Sequence, residues 1–290
     1  KTGSIQLVSG TGIKSTSGSV TNQGSINISQ GEDSVGISSG SNAVNDKDAT
    51  IQITGANSTG ISVEENATAV NRGTITLTST QNSKENYGMI SASGERAQID
   101  NDGIINLNGY DYAASKEVGY GMSIGDGRAN NNNTININRM YGYGMASTEG
   151  TLTNNGTINL TNGGYGIMGE SGESFNNKDA TITITGTPNM QNSYGMSMQD
   201  GTAKNFGQID VTGGSVNSET YGISVNGGNG LNHGLINMHS DNAFGLFDEG
   251  DGEITNVAGG TINLYGNNSV GMQTTSGKAE NFGTINIGVD

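Results

Sequence analysis

The sequence predicts an all-β protein, a parallel β-helix of the right-handed kind that parallel crossovers favour, with about eleven coils of three short strands each. Three observations carry this. A seven-residue stretch recurs, as in NQGSINI at 22–28, NRGTITL at 71–77, NNGTINL at 154–160 and NFGTINI at 281–287. Its first apolar residue falls at Ile5, Ile26, Ile51, Ile75, Ile105, Ile135, Ile158, Ile182, Ile209, Ile236, Ile262 and Ile285, at intervals of 21 to 30 residues. Two further anchors repeat in step with it: a Gly-apolar pair at Ile13, Ile37, Ile61, Met89, Met122, Met145, Ile167, Met196, Ile223, Leu246 and Met272, and an asparagine at Asn22, Asn45, Asn71, Asn101, Asn131, Asn154, Asn176, Asn205, Asn232, Asn256 and Asn281. The array runs through residues 1–290 as a single solenoid.

The Thr-Ile-Asn-Ile element alternates polar and apolar residues with β-branched side chains, so it reads as a half-buried strand with its isoleucines on one face. Strands of four or five residues cannot bury an apolar face alone. Stacked in register, they form parallel sheets about 4.8 Å apart around a continuous apolar interior. From the asparagine to the next isoleucine the spacing is 4 residues in eight copies and 6 in three, whereas the gap from isoleucine to the next Gly-apolar pair varies from 8 to 17. Two corners are therefore fixed and one is free.

Asparagine tolerates left-handed backbone and bonds to its own turn, so it suits a corner, and identical amides stacked coil on coil can form a ladder. Asn71, Asn101, Asn131, Asn154, Asn205 and Asn232 are expected to build it. The glycine before each apolar anchor marks a backbone requirement. No strand, glycine-rich loop and helix follow one another, so the G-x-G triplets do not point to a nucleotide. Tyr87, Tyr120, Tyr143, Tyr165, Tyr194, Tyr221 and Phe244 precede that glycine in successive coils. Standing two residues before an inward apolar residue, they are expected to share the inward face as a core stack; the alternative is an exposed strip that grips sugar rings.

Composition alone would suggest disorder, with 31% hydrophobic residues, 49 glycines and a net charge of -15, but the charged fraction is only 13% and there is a single proline, Pro188. The chain has no cysteine and two histidines, His233 and His239, which leaves no thiol nucleophile, no disulfide framework and no repeated metal cluster. The outward positions of the repeated strand are mostly Thr, Ser, Asn and Gln, with Asp210 the one carboxylate, so no catalytic residue and no cofactor is expected. The acidic run FDEGDGE at 247–253 offers Asp248 and Asp251 as oxygen ligands for Ca²⁺, without the spacing of a known calcium repeat. With 27 acidic and 12 basic residues, nucleic acid and anionic lipid surfaces are repelled. No apolar run approaches membrane-span length, so no direct membrane contact is expected of this stretch. The chain begins in mid-coil and the repeat still runs at Ile287, which predicts a fragment of a longer array.

The variable corner carries the longer loops, at 78–86, 108–119, 185–193 and 212–220. Lys84 and Glu85 in the first and Tyr110, Tyr112, Lys116 and Glu117 in the longest are the candidate contact residues.

The stacked G-[TS]-I-[NT]-[IL] and Y-G-[MI] motifs, at Gly73, Gly156, Tyr143 and Tyr165 onward, resemble the passenger domains of very large type V autotransporters, particularly fusobacterial outer-membrane adhesins. The resemblance covers essentially the whole chain. It implies a secreted rod displayed on the bacterial surface, anchored by a C-terminal β-barrel translocator, and attaching to a host or bacterial surface protein or glycan. A polysaccharide lyase or hydrolase is the alternative, since enzymes are also built on parallel β-helices.

Overall fold

The computed structural model describes residues 3–80, 83–91, 96–110, 117–186, 192–213 and 218–288, and every regular element among them is a β-strand. The chain comprises two compact units, Lys1–Ala146 and Ser147–Asp290. Both are parallel β-helices of the three-strand coil that the sequence predicts.

In Lys1–Ala146 the first sheet stacks Ser4–Leu7, Ser25–Glu32, Thr50–Ala56, Thr74–Ser79, Ile104–Asn108 and Thr134–Asn138. The second stacks Thr11–Ser15, Val35–Ser39, Thr59–Val63, Glu85–Ser91, Val118–Ile124 and Tyr141–Ser147, and the third Val20–Asn22, Ala43–Asn45, Thr68–Asn71, Ala97–Asn101 and Gly127–Asn131. In Ser147–Asp290 the first sheet is Thr157–Leu160, Thr181–Thr185, Gln208–Thr212, Leu235–Met238, Thr261–Leu264 and Thr284–Ile287. The second is Gly164–Gly169, Ser193–Met198, Thr220–Val225, Ala243–Asp248 and Val270–Thr274, and the third Thr151–Asn154, Glu173–Asn176, Thr202–Asn205, Asn229–Asn232, Glu253–Asn256 and Lys278–Asn281.

Register follows the repeat residue for residue. In the first unit Ile26, Ile51, Ile75, Ile105 and Ile135 lie over one another, and in the second Ile158, Ile182, Ile209, Ile236 and Ile262 do so. All ten are fully buried. Each contributes about 1.5–3 kcal/mol by leaving water, which is how so polar a chain gathers a core. A one-residue slip would turn the whole column outward, so the alternation also fixes the register.

The corner between the third and first sheets is built on the asparagines. Each buried amide donates to the next coil's amide oxygen: Asn22 to Asn45, Asn45 to Asn71, Asn71 to Asn101 and Asn101 to Asn131 at 2.8–2.9 Å, and Asn154 through Asn176, Asn205 and Asn232 to Asn256 and Asn281 at the same spacing. The Nδ2 group also donates to strand carbonyls, as Asn101 does to Thr134 O at 3.2 Å and Asn154 to Thr181 O at 3.3 Å. The amide oxygen takes the N–H of the glycine two residues on, Gly24 onto Asn22 and Gly234 onto Asn232. That closed set explains the Asn-x-Gly spelling: one side chain satisfies its own turn and its neighbours above and below. The three copies with six-residue spacing carry a longer corner, and each turns through a left-handed residue three positions after the asparagine: Asp48 (φ 65), Asp179 (φ 68) and Gly259 (φ 91).

Candidate functional site

The aromatic column stands on the second sheet, and the structure corrects its expected direction. The strand pattern around it is not a clean alternation. In Val118–Ile124, Tyr120 is half-buried, Gly121 and Met122 are both buried, and Ser123 is half-buried again. Two consecutive inward positions mean that the strand bends at the glycine, which puts tyrosine and methionine on opposite faces. The bend needs glycine: a Cβ on Gly88 would lie 2.5 Å from both Gly121 O and Ile105 Cγ2, and one on Gly195 would lie 2.4 Å from Ile209 Cγ2. The sequence held one usable signal for this: Thr11 and Thr59 share the column, and an inward stack would have buried their hydroxyls.

The rings therefore form ladders on the outer face, half-buried except for Tyr221, which is buried at 5% exposure. In the first unit Tyr87, Tyr120 and Tyr143 stack with centroids 4.8 and 4.7 Å apart, and Tyr141 meets Tyr143 edge-on. In the second, Tyr165, Tyr194, Tyr221 and Phe244 stack at 4.5, 4.7 and 5.2 Å, and Phe247 packs against the last two. Interplanar angles along the ladders are 14° or less. Ring faces are thus spent on one another, so each ladder shows edges and phenol groups outward rather than the open faces on which a sugar ring would lie.

The phenols of Tyr87, Tyr120 and Tyr221 are held protonated. Burial, then the charges of neighbouring Tyr143 and Glu85, pushes Tyr120 up to about 12. Burial also raises Tyr87 and Tyr221, each reinforced by a hydrogen bond to the glutamate two residues before it. Tyr87 donates to Glu85 Oε2 at 2.7 Å, and Tyr221 donates to Glu219.

Of the candidate contact residues, Lys84 and Glu85 are exposed at the start of the strand that carries Tyr87, their N–H groups donating to Asn57 Oδ1. Tyr110 is 48% exposed. Tyr112 and Lys116 lie outside the described residues. Glu117 is the correction: expected on a contact loop, it is wholly buried. Its Oε1 accepts from Asn86 Nδ2 at 2.8 Å and its Oε2 from Tyr110 N at 3.0 Å, so the carboxylate ties Tyr110 to the coil below. Asn86 in turn donates to Ser79 and Ser83. The structure thus joins Tyr110 to Glu117, and Lys84–Glu85 to the foot of the tyrosine ladder.

Asp248 is likewise buried, accepting from Gly250 N at 3.1 Å, Gly227 N at 3.4 Å and Thr274 Oγ1 at 2.9 Å, so the acidic run turns its first carboxylate inward. Among the described residues no group of three or more His, Asp or Glu could hold a metal ion, and no helix is long and apolar enough to cross a membrane.

The outward face of the first sheet carries neutral ladders. Asn136 donates to Asn106 and Asn138 to Asn108 in the first unit. In the second, Asn286, Asn263 and Asn237 hand hydrogen bonds down to Asp210, which also takes one from Gln208. Two aromatic-imidazole stacks border that strand face: Phe206 on His233 at 4.6 Å and His239 on Tyr265 at 4.2 Å. Both histidines of the chain thus flank one strand, Leu235–Met238, a pairing across the sheet that sequence reading passed over. Burial, then the charge of Lys204, lowers the His233 pKa. A shallow groove of about 470 Å³ runs beside Phe206, lined by Lys178, Thr181, Gln208, Leu235 and Thr261.

Comparison with curated protein sequences returns no match. A solved structure, the crystal structure of the TibC-catalyzed hyper-glycosylated TibA fragment, aligns over 96% of this chain and 100% of that one at 13% identity, with a TM-score of 0.23. Among protein families, the one described as the BigA third pectate lyase-like domain matches residues 30–167, so just under half of the chain is similar to that family.

Proposed function

We propose that the chain is part of the passenger of a bacterial autotransporter adhesin, an extended rod displayed outside the cell that spaces and presents attachment surfaces. Its partner is a surface protein or glycan on a host or neighbouring bacterium, reached in the first unit through Lys84, Glu85, Tyr110 and the tyrosine ladder beside them. The observation that carries this reading is where the side chains go. Among the described residues, the inner and outer amide ladders spend their hydrogen bonds between adjacent coils, as in a molecule selected to hold a repeated shape.

The similarity of residues 30–167 to a pectate lyase-like domain favours one second reading, a polysaccharide lyase or hydrolase. Against it, the first-sheet face across those residues presents Thr50 with Gln52, Thr74 with Thr76, Ile104 with Asn106 and Thr134 with Asn136. None of these is an acid, a base or an arginine that could abstract or deliver a proton. A glycan array and a polymer-cleavage assay on the purified chain, run beside an attachment assay with cells whose adhesin lacks it, separate the two. Binding without turnover, with attachment lost on deletion, is the expected result; turnover of any polymer overturns it.

A further inference from the structure

The chain contains five Asn-Gly dipeptides, at Asn108, Asn155, Asn162, Asn226 and Asn229. Asparagine before glycine is chemically labile, because the unhindered glycine nitrogen can reach the side-chain carbonyl carbon. The reaction needs a free side chain and a backbone that can rotate. Four of the five lack that freedom. Asn108 accepts from Asn138 Nδ2, and the Gly109 N–H is fixed to Asn138 O at 2.7 Å. Asn155 accepts from Asn177 Nδ2 and the Gly156 N–H donates to Asn154. Asn162 is 9% exposed. Asn229 lies within a ladder-bonded strand, its N–H on Gly201 O at 2.8 Å.

Asn226 differs in its side chain and in the glycine that follows, although its own N–H is bonded to Met198 O at 3.0 Å. It sits in the exposed turn between Thr220–Val225 and Asn229–Asn232, and no hydrogen bond holds its side-chain amide among the described residues. Gly227 follows at φ 83, and its N–H makes one long bond, 3.4 Å, to Oδ1 of the buried Asp248. That carboxylate is aimed at the proton the nitrogen must lose.

We propose that Asn226 is a self-modification site. The Gly227 nitrogen forms a bond to Asn226 Cγ, the Cγ–Nδ2 bond breaks, and the nitrogen's proton leaves with the amide as ammonia. Water then opens the cyclic imide at either carbonyl, leaving aspartate or isoaspartate. No oxidant or cofactor enters. The product places a new carboxylate beside Asp200 and Asp251, whose Oδ1 atoms lie 3.5 and 3.6 Å from the Cβ position at Gly227. The turn thereby acquires like-charge repulsion that dates the age of the protein.

The test ages the whole purified chain at neutral and at mildly alkaline pH, with peptide mapping by mass spectrometry and enzymatic isoaspartate detection. Residue 226 should convert about tenfold or more faster than the other four sites, which react only through local opening. The rate should rise with pH, and N226Q should abolish the early ammonia release with the far-ultraviolet spectrum unchanged. A rate at Asn226 no greater than at Asn155, or ammonia release that persists in N226Q, overturns the proposal.

Discussion

Two columns run along the coils, and they differ in what interrupts them. The inner asparagine column has a member in every turn of each unit, from Asn22 to Asn131 and from Asn154 to Asn281. The outer tyrosine columns cover three turns of the first unit, where Thr59 takes the next place, and four of the second, where Val270 does. Buried amides and carbonyls must be paired, so a gap in the inner column strands partners on both sides. A ring on a half-wet face can be replaced by a threonine that water satisfies. Strict periodicity thus marks obligation, and partial periodicity marks an option available for recognition.

The sharpest way to break this comparison is to exchange inside for outside on one strand. Ile158 is fully buried and the adjacent Thr157 is half-exposed. I158D places a charge among stacked isoleucines and should cost about 4 kcal/mol or more, whereas T157D should stay within about 0.5 kcal/mol. Denaturant melts of the two variants give the answer; equal losses would mean that the faces are assigned wrongly.

A smaller effect separates the columns themselves. N101A removes the acceptor for Asn71 Nδ2 and the donors to Asn131 Oδ1 and Thr134 O, all in buried surroundings, and should cost about 2–4 kcal/mol. Y194A removes two ring contacts from a half-buried face and should cost about 1–1.5 kcal/mol. Melting midpoints that fall equally for both would erase the distinction between obligatory and optional ladders.

Both columns were legible in the sequence as spacings, but only one could be aimed. Asparagine at a corner carries its own geometry, since Asn-x-Gly names the acceptor, the turn and the direction. The direction of the tyrosines depended on a bend at Gly88, Gly121 and their counterparts, and a glycine reports that something comes close without saying which way the strand leaves. Glu117 was misplaced for a related reason. A carboxylate in a long loop reads as solvated, and the donors that bury it, Asn86 and Tyr110 N, come from 31 residues back along the chain and from the far end of its own loop. The two histidine stacks were invisible because each needs a partner 26 or 27 residues away that no short motif encodes.

The mildest perturbation is alkaline pH, which can ionise Tyr120 in the outer column but leaves the inner amides unchanged. Tyr120 keeps its proton up to about 12 against an ordinary value of 10.0, because burial and then the neighbouring Tyr143 and Glu85 disfavour the phenolate. A folded pKa above the unfolded one means that the unfolded chain loses the proton first, so the stabilising contribution is complete below pH 10.0 and fades as pH rises towards about 12. Tyr87 and Tyr221 are shifted in the same direction and should add to the loss. Titration of phenolate absorbance should therefore show a late-ionising class that coincides with falling melting temperature. Y120F should shrink that class while keeping the stack with Tyr87 and Tyr143. If every tyrosine of the folded chain ionised in one step near the ordinary value, the rings would be standing free in water, and the outer column would be no ladder at all.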